Sequence, residues 1–497
     1  MKLNVKKTVY VGFAFLIIVM FWQVYDSIIA KMLINSFGFN QTASGVVLAL
    51  DNILALFLLP LFGVWSDRTK TKYGKRTPYI VIGVLISALL FIGVAIADSQ
   101  QQIAVKQANV AEVIEIKENN EVIGYEYDGE EFYPESNAVF GDLQKAKNSA
   151  NEARRADVWI VARDHINYLI IFLGILLLVL VAMASFRSPA VSLMPDVTPK
   201  PLRSKANAII NLMGTAGGMI ALGFMSFLAK DNEPYIITFV VLAILMYIFL
   251  ALFLWKVKEP KLVEEMHKTQ LEYGLEENNA VEDVKDEKMS PEVRRSFLLI
   301  LLSIVFWFMA YNAATSKFSI YAGEVLKMGF SLPLLVAQAV AVMAYIPIGM
   351  LSSKFGRKKM ILVGIVILTT AFILGTIATE KTKFLIFFTM GIAGIGWATI
   401  NVNSYPMVVE MSKGGNVGKY TGYYYTASMF AQIITPILSG AAMDYLLGYY
   451  EPRLLFPYSV IFCILALITM SFVRHGDSKP IPTKKLEAFA DPEESLD

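Results

Sequence analysis

The chain is poor in the side chains that carry most covalent and metal chemistry. Its 497 residues include one cysteine, Cys463, and three histidines, His165, His267 and His475. A lone cysteine excludes both a disulfide framework and a cysteine metal site. The histidines all lie outside or at the ends of the apolar runs, so a proton held inside such a run must ride on a carboxylate. No HExxH pair, GxSxG elbow or nucleotide-binding glycine loop is present, which removes the usual signatures of a membrane-embedded enzyme, and no cofactor is expected. Charge is scarce too. Only 17% of residues are charged and the net charge is +2, which gives no basis for nucleic-acid binding.

What the chain has in excess is apolar sequence. Hydrophobic residues make up 56% and the mean hydropathy is +0.53, far from a soluble globular composition. A helix needs roughly 20 mainly apolar residues to cross the bilayer core. Twelve runs qualify: 9–34, 44–65, 78–97, 166–186, 206–229, 235–255, 296–317, 329–351, 359–378, 384–406, 419–442 and 455–473. In lipid each backbone N–H and C=O must be satisfied within its own segment or in a closed barrel, and these runs are too long for barrel strands. The expected class is therefore an all-α membrane protein with twelve transmembrane helices. The first run is too long for a signal peptide and lacks a small-residue cleavage site, so it reads as a retained span.

Lys/Arg-rich connections recur at alternate ends of the spans: Lys2, Lys6 and Lys7, the 66–77 loop, Lys200 with Arg203 and Lys205, the 352–359 loop and the tail. The positive-inside rule makes these connections and both termini cytoplasmic. Short loops and the absence of a targeting segment suit a bacterial inner membrane. Residues 98–165 then fall outside the membrane on the far side. Alternation in "EVIEIKENNEVIGYEYDGEEFY" predicts a small β-meander followed by a helix. Residues 256–295, rich in Glu and Lys, read as a cytoplasmic linker. The organisation is 1–97 with 166–255 as a first six-helix bundle, 98–165 as an insertion, 296–473 as a second bundle and 474–497 as a tail.

Sliding the sequence by 286 positions superposes the halves at polar residues inside the spans. Tyr25-Asp26 falls on Tyr311-Asn312, Lys31 on Lys317, Asn52 on Gln338, Gly63 on Gly349, Ser66 on Ser352 and Arg68 on Lys354. Beyond this point the first half carries four extra residues, so that Gly74-Lys75-Arg76 answers Gly356-Arg357-Lys358. Internal repeats of this kind build many secondary transporters, with the substrate site near the midplane between the halves.

The loop Gly63-x-x-Ser66-Asp67-Arg68 followed by Gly74-Lys75-Arg76, echoed between spans eight and nine, resembles the signature loop of the major facilitator superfamily. The stretch "GVWSDRTKTKYGKRTPYI" is most similar to the sucrose/proton symporter and glycoside-pentoside-hexuronide:cation symporter branches. The resemblance implies two pseudo-symmetric six-helix bundles and a sugar substrate, bound by a chain that functions as a monomer in the lipid bilayer. It also implies that Gly63, Asp67, Arg68, Gly74, Lys75, Arg76, Gly349, Lys354 and Arg357 form a cytoplasmic gate, in which Asp67 meets the other half when the outer side is open. There are departures: Ala55 and Leu59 stand where the melibiose-permease type carries two acids, and Ser353 stands where the first copy has Asp67.

Ionisable groups inside spans are functional candidates by default. Asp26 and Asp51 fall at similar depth on antiparallel neighbours at roughly 1.5 Å per residue. Two carboxylates in one low-dielectric cavity cannot both ionise cheaply, so one would hold a proton near neutral pH, as proton coupling requires. Their repeat equivalents, Asn312 and Ala337, are neutral, which places coupling in the first half alone. Sugars are held by aromatic faces and by amides that meet hydroxyl pairs. The candidates are Trp22, Gln23, Tyr25, Asn52, Asn207, Asn211, Tyr311, Asn312, Gln338, Trp397, Asn401, Tyr425 and Gln432, with Asn403 and Tyr424 beside them. Arg187 near the end of span four, with Asp196 nine residues on, reads most simply as a local ion pair, with a role in gating as the alternative. The expected activity is proton-coupled uptake of a disaccharide or other glycoside by alternating access, with sodium as the second choice of ion. A proton-coupled exporter of drugs or small metabolites is the alternative.

Overall fold

The computed structural model describes residues 3–118, 121–134, 142–199, 203–229, 234–272, 290–410 and 417–475. The chain runs α1 (Val5–Asn35), α2 (Gln41–Arg68), α3 (Thr77–Gln107), β1 (Ile114–Glu118), β2 (Glu121–Tyr127), β3 (Glu130–Phe132), α4 (Asp142–Asp164), α5 (Ile166–Asp196), α6 (Arg203–Leu228) and α7 (Ile236–Lys256). It continues as α8 (Glu259–Glu272), α9 (Pro291–Ser316), α10 (Phe318–Glu324), α11 (Ser331–Phe355), α12 (Arg357–Thr376), α13 (Leu385–Glu410), α14 (Val417–Tyr445), a 3-10 turn at Pro452–Leu454 and α15 (Leu455–Ser471).

Among the described residues eleven helices are long and apolar enough to span a bilayer, and α11, apolar over Ser331–Tyr345, is the twelfth. Side-chain caps start several of them: Asn4 accepts from the Lys7 amide at 3.1 Å, and Asn40 from that of Ala43 at 2.8 Å. Proline stands inside α2, α5, α11, α13 and α14, which a buried bundle tolerates because neighbouring groups satisfy the freed carbonyls.

The repeat is visible in the packing. In the first half α1 packs on α6, α3 on α5, α2 on α5 and α3 on α7; in the second α9 packs on α14, α12 on α13, α11 on α13 and α12 on α15. These are the same pairs in span order. The halves meet in a matching way, α2 against α14 and α11 against α6. The helices alternate in direction, so one face of the molecule carries the start of α1 and the end of α15, the terminal face, while the opposite face carries the 98–165 insertion.

On the terminal face the loop after α2 is tied, among the described residues, to its own half and to α8. Arg76, 4% exposed, donates to Asp67, to the Ser66 hydroxyl and, from Nε at 2.8 Å, to Asp196; Lys75 lies 3.2 Å from Asp196. Gly74 turns the chain at φ +106°, and a Cβ there would strike the Glu259 carboxyl group at 2.2 Å.

That carboxylate is the unexpected feature of the charged connection read as a linker. Glu259, 2% exposed, accepts from the amides of Lys75 (2.8 Å), Arg76 (3.0 Å) and Thr77 (2.7 Å), and from the Thr77 hydroxyl (2.7 Å). It neutralises the N-terminal end of α3, where a helix leaves its donors unpaired. Glu265 of the same helix, α8, pairs with Lys7. Losing several charge-assisted hydrogen bonds in Glu259→Ala should cost on the order of 3 kcal/mol. The expected result is a thermal midpoint in detergent lower by about 5 °C, against about 1 °C for Glu265→Gln in a half-exposed pair. Equal shifts for the two variants would remove the anchoring role of Glu259.

Candidate functional site

Helix α1 is buried on nearly every side, with Tyr25 at 0% and Ser27 at 2% exposure. Asp26 between them is exposed, and Phe15, Val19, Trp22 and Gln23 are partly so. These positions repeat at helical spacing and form one face. An accessible acid on the inner face of a core helix marks a water-reachable cavity between the halves.

The same reasoning identifies the facing wall. Phe308, Tyr311, Asn312 and Thr315 are the accessible stripe of α9; Trp397, Asn401 and Tyr405 that of α13. Tyr311 and Trp397 stack with ring centroids 3.9 Å apart and planes within 7°, and Phe308 meets the Trp397 ring edge-on at 5.2 Å. This gives a flat aromatic platform in the second half.

Among the described residues the charged groups gathered here, Asp26, Asp51 and Arg187, come from the first half. Asp26 lies within electrostatic reach of Asp51 and of Arg187, which lies in reach of both acids and of Tyr425. Asp51 accepts from the Asn52 amide at 2.7 Å. The Arg187 guanidinium sits 5.5 Å from the Trp22 ring centroid. The local pair expected between Arg187 and Asp196 is therefore not formed: Asp196 belongs to Arg76 and Lys75, and Arg187 turns into the cavity. Nine residues at 100° each leave 187 and 196 on opposite faces of a helix, so helical phase already argued against the pair.

The structure places the remaining candidates unequally. Gln338 donates to the Gln23 side chain across the halves at 2.5 Å and lies against Gly218, where a Cβ would be 2.8 Å from its Oε1. The Asn401 side chain hydrogen-bonds the Tyr345 hydroxyl. Tyr425 is 56% exposed, whereas Tyr25 is wholly buried behind Trp22. Gln432 and Asn403 turn back on their own helices, to the carbonyls of Ser428 (3.2 Å) and Thr399 (2.8 Å). Tyr424, 6% exposed, lies 3.3 Å from the Ser404 hydroxyl. Asn211 is exposed, and its carbonyl receives Thr215 at 3.0 Å. The side chains of Asn207 and Lys354 lie outside the described residues. Of the remaining gate positions, Gly63 lies near Ser188, with its carbonyl 3.4 Å from Arg76 Nη1, Arg68 is exposed, Gly349 has open space around it and Arg357 opens α12.

Four polar atoms in this region, Trp22 Nε1, the Tyr25 hydroxyl, Asn312 Nδ2 and Gln338 Oε1, are buried and make no hydrogen bond within the described residues. Buried donors and acceptors are normally paired. They come from both halves, and unpaired donors and acceptors of this kind suit a ligand that carries several hydroxyl groups.

Toward the insertion face the cavity is sealed by residues that the sequence did not assign to the site, although Lys31 and Lys317 were matched there as repeat equivalents. Lys317, at the end of α9 and fully buried, donates across the halves to the Gln41 carbonyl (2.9 Å), the Gln41 side chain (3.2 Å) and the Ser44 hydroxyl (3.0 Å). Asp444 of α14 accepts from the Gln41 amide (3.2 Å) and from the Thr42 amide and hydroxyl (2.7 and 2.6 Å). Lys31, the repeat equivalent of Lys317, sits 4.8 Å from the Phe330 ring centroid of the other half. The helices touch closely enough that a Cβ on Gly45 would be 2.1 Å from the Pro436 carbonyl, and one on Gly440 2.4 Å from that of Gln41. These contacts between the halves close the cavity on the insertion side.

Comparison with known proteins agrees with this architecture. Residues 11–106 match the family described as MFS/sugar transport protein. A stretch of 62 residues is 32% identical to the sucrose transport protein SUC3 of Arabidopsis thaliana, covering 12% of this chain and only about a tenth of that relative's length. The xylose transporter XylE from E. coli, in an inward open conformation, superposes with a TM-score of 0.59 at 14% identity, over 96% of this chain and 97% of that one. The nucleoside transporter NupG, in a mutant form, gives 0.56 at 13%, over 95% and 100%. At such identities the likeness is one of fold. Residues 158–346 and 330–492 match the Major Facilitator Superfamily, and the chain belongs to that family of membrane transporters.

Proposed function

We propose that the chain is a proton-coupled symporter that takes up a disaccharide or related glycoside by alternating access. It works as a single chain in the plasma (inner) membrane of a bacterium, with the terminal face in the cytoplasm, as the Lys/Arg distribution favours. The observation that carries this reading is the division of the cavity. Two carboxylates and one guanidinium line the first half, and an aromatic platform with the unpaired Asn312 Nδ2 and Gln338 Oε1 lines the second.

Counting charges gives the mechanism. Asp26, Asp51 and Arg187 sum to −1 when both acids are ionised and to zero when one carries a proton. Carrying an uncompensated charge through an occluded, low-dielectric state is costly, so the loaded cavity closes readily only with its proton. The sugar then stacks on Tyr311 and Trp397, and its hydroxyls meet Trp22, Asn312 and Gln338. The form described here, sealed on the insertion side, is the one that releases sugar and proton to the cytoplasm. In the opposite form Asp67 would leave Arg76 and engage the second half. The sugar-transport match and the short likeness to a sucrose transport protein support the substrate class.

Uptake of labelled mono- and disaccharides into proteoliposomes, under an imposed proton gradient and then a sodium gradient, tests the proposal. Accumulation of a disaccharide that needs the proton gradient is expected. Accumulation driven by sodium alone would reassign the ion, and extrusion of a lipophilic compound with no sugar uptake would favour an exporter. Within the symporter reading, Trp397→Ala should raise the half-saturating sugar concentration by about 10- to 100-fold, the effect of losing a stacking anchor worth about 1.4–2.8 kcal/mol. An unchanged value would take the platform out of the binding site.

A further inference from the structure

The insertion is fastened to both halves. On the first, α4 packs through Val158 and Val161 on Ala104 and Val105 at the end of α3, a helix continuous with the first half, Trp159 meets Phe39 edge-on at 5.7 Å, and Gly38 fits directly beneath the Arg155 carbonyl. Its meander is held to α4 by the Tyr127 hydroxyl, which donates to Asp157 at 2.6 Å. It therefore moves with the first half.

Among the described residues it also meets the second half, at the short helix α10 and at loops of the insertion face. Glu115 of β1 pairs with Lys327, which lies 3.3 Å from Glu380 as well. Lys147 donates to the Glu324 carbonyl. The Arg155 guanidinium lies 4.1 Å from the Tyr450 ring centroid, and the Tyr450 hydroxyl donates to the Glu324 carboxylate at 2.7 Å. The Lys327 ammonium beside Glu115 holds its carboxyl below the usual carboxylate range, so the pair is charged at neutral pH.

We propose that the insertion, through β1 to β3 and α4, acts as a strap that spans the closed seam and sets how readily the insertion face opens. The proposal rests on the alternating-access reading, because the contacts of Glu115, Lys147 and Arg155 with the second half must break when α2 and α14 separate. The strap favours the form open at the terminal face, and releasing it shifts the balance toward the opposite form without touching the cavity.

The test uses spin labels at Asn35→Cys on the first half and Lys381→Cys on the second, in a Cys463→Ser background, with distances read by electron resonance in nanodiscs. Glu115→Lys together with Lys147→Ala should raise the long-distance population roughly fivefold, since exposed pairs are individually weak. Exchanging the charges, Glu115→Lys with Lys327→Glu, separates loss of the pair from misfolding and should return the population most of the way to that of the parent. Gly440→Trp, which forces the seam apart sterically, is the reference for an open face. A long distance in Gly440→Trp with no change in the strap variant overturns the strap. No change in either overturns the alternating-access reading, and the strap with it.

Discussion

Asp26→Asn is expected to abolish uphill uptake while leaving sugar exchange intact. One proton crossing about 100 mV supplies about 2.3 kcal/mol, enough for roughly fiftyfold accumulation. In the variant the charges of Asp51 and Arg187 already cancel, so the cavity closes without needing a proton. Accumulation should then fall to a ratio of about 1, the value for a carrier with no coupling free energy between its two ligands. Exchange of labelled for unlabelled sugar should persist and lose its dependence on pH. The measurement is accumulation under a fixed proton gradient set beside counterflow in the same vesicles. Retained fiftyfold accumulation would remove Asp26 from the coupling path, and loss of both activities would point to a structural role.

The second large effect is expected at the seam. Gly440→Trp places an indole where even a methyl group would come within 2.4 Å of the Gln41 carbonyl. Backbone cannot yield as a flexible side chain can, so the insertion face should stay open. Cycling then stops, and uptake should fall by about a hundredfold or more, as a bias of roughly 3 kcal/mol between the two forms implies. A thiol reagent confined to the insertion side should label a cysteine at Ser44, which in the parent receives the buried Lys317 ammonium. Normal uptake by Gly440→Trp would mean that this contact is not part of the cycle.

Much of this architecture was legible because the membrane restricts the possibilities. Twelve apolar runs of spanning length allow only helices, and polar matches such as Tyr25-Asp26 with Tyr311-Asn312 exposed the repeat. Alternation over 114–127 gave the strands of the insertion. The features missed were those decided by which face a residue turns to, or by contacts between distant segments. Arg187 was matched to the nearest acid in sequence, although that acid is on the opposite face of α5. Lys317, Gln41 and Asp444 sit at span ends, where polar residues are ordinary; only the packing of α2 against α14 makes them a lock. Glu259 lay in a run of charge that reads as solvated, and nothing in its neighbours announces the helix end that it caps.

The glycine seam has a thermodynamic consequence. Where Gly45 faces Pro436 and Gly440 faces Gln41, the apposed surfaces are largely main chain. Bringing them together freezes few side-chain rotamers, and parting them releases few, so little rotamer entropy favours either form. A seam of interlocked leucines or methionines would surrender far more freedom on closing and would make the balance strongly temperature-dependent. A carrier needs two states of nearly equal free energy, and a backbone-lined hinge surface supplies this over a wide range of growth temperatures.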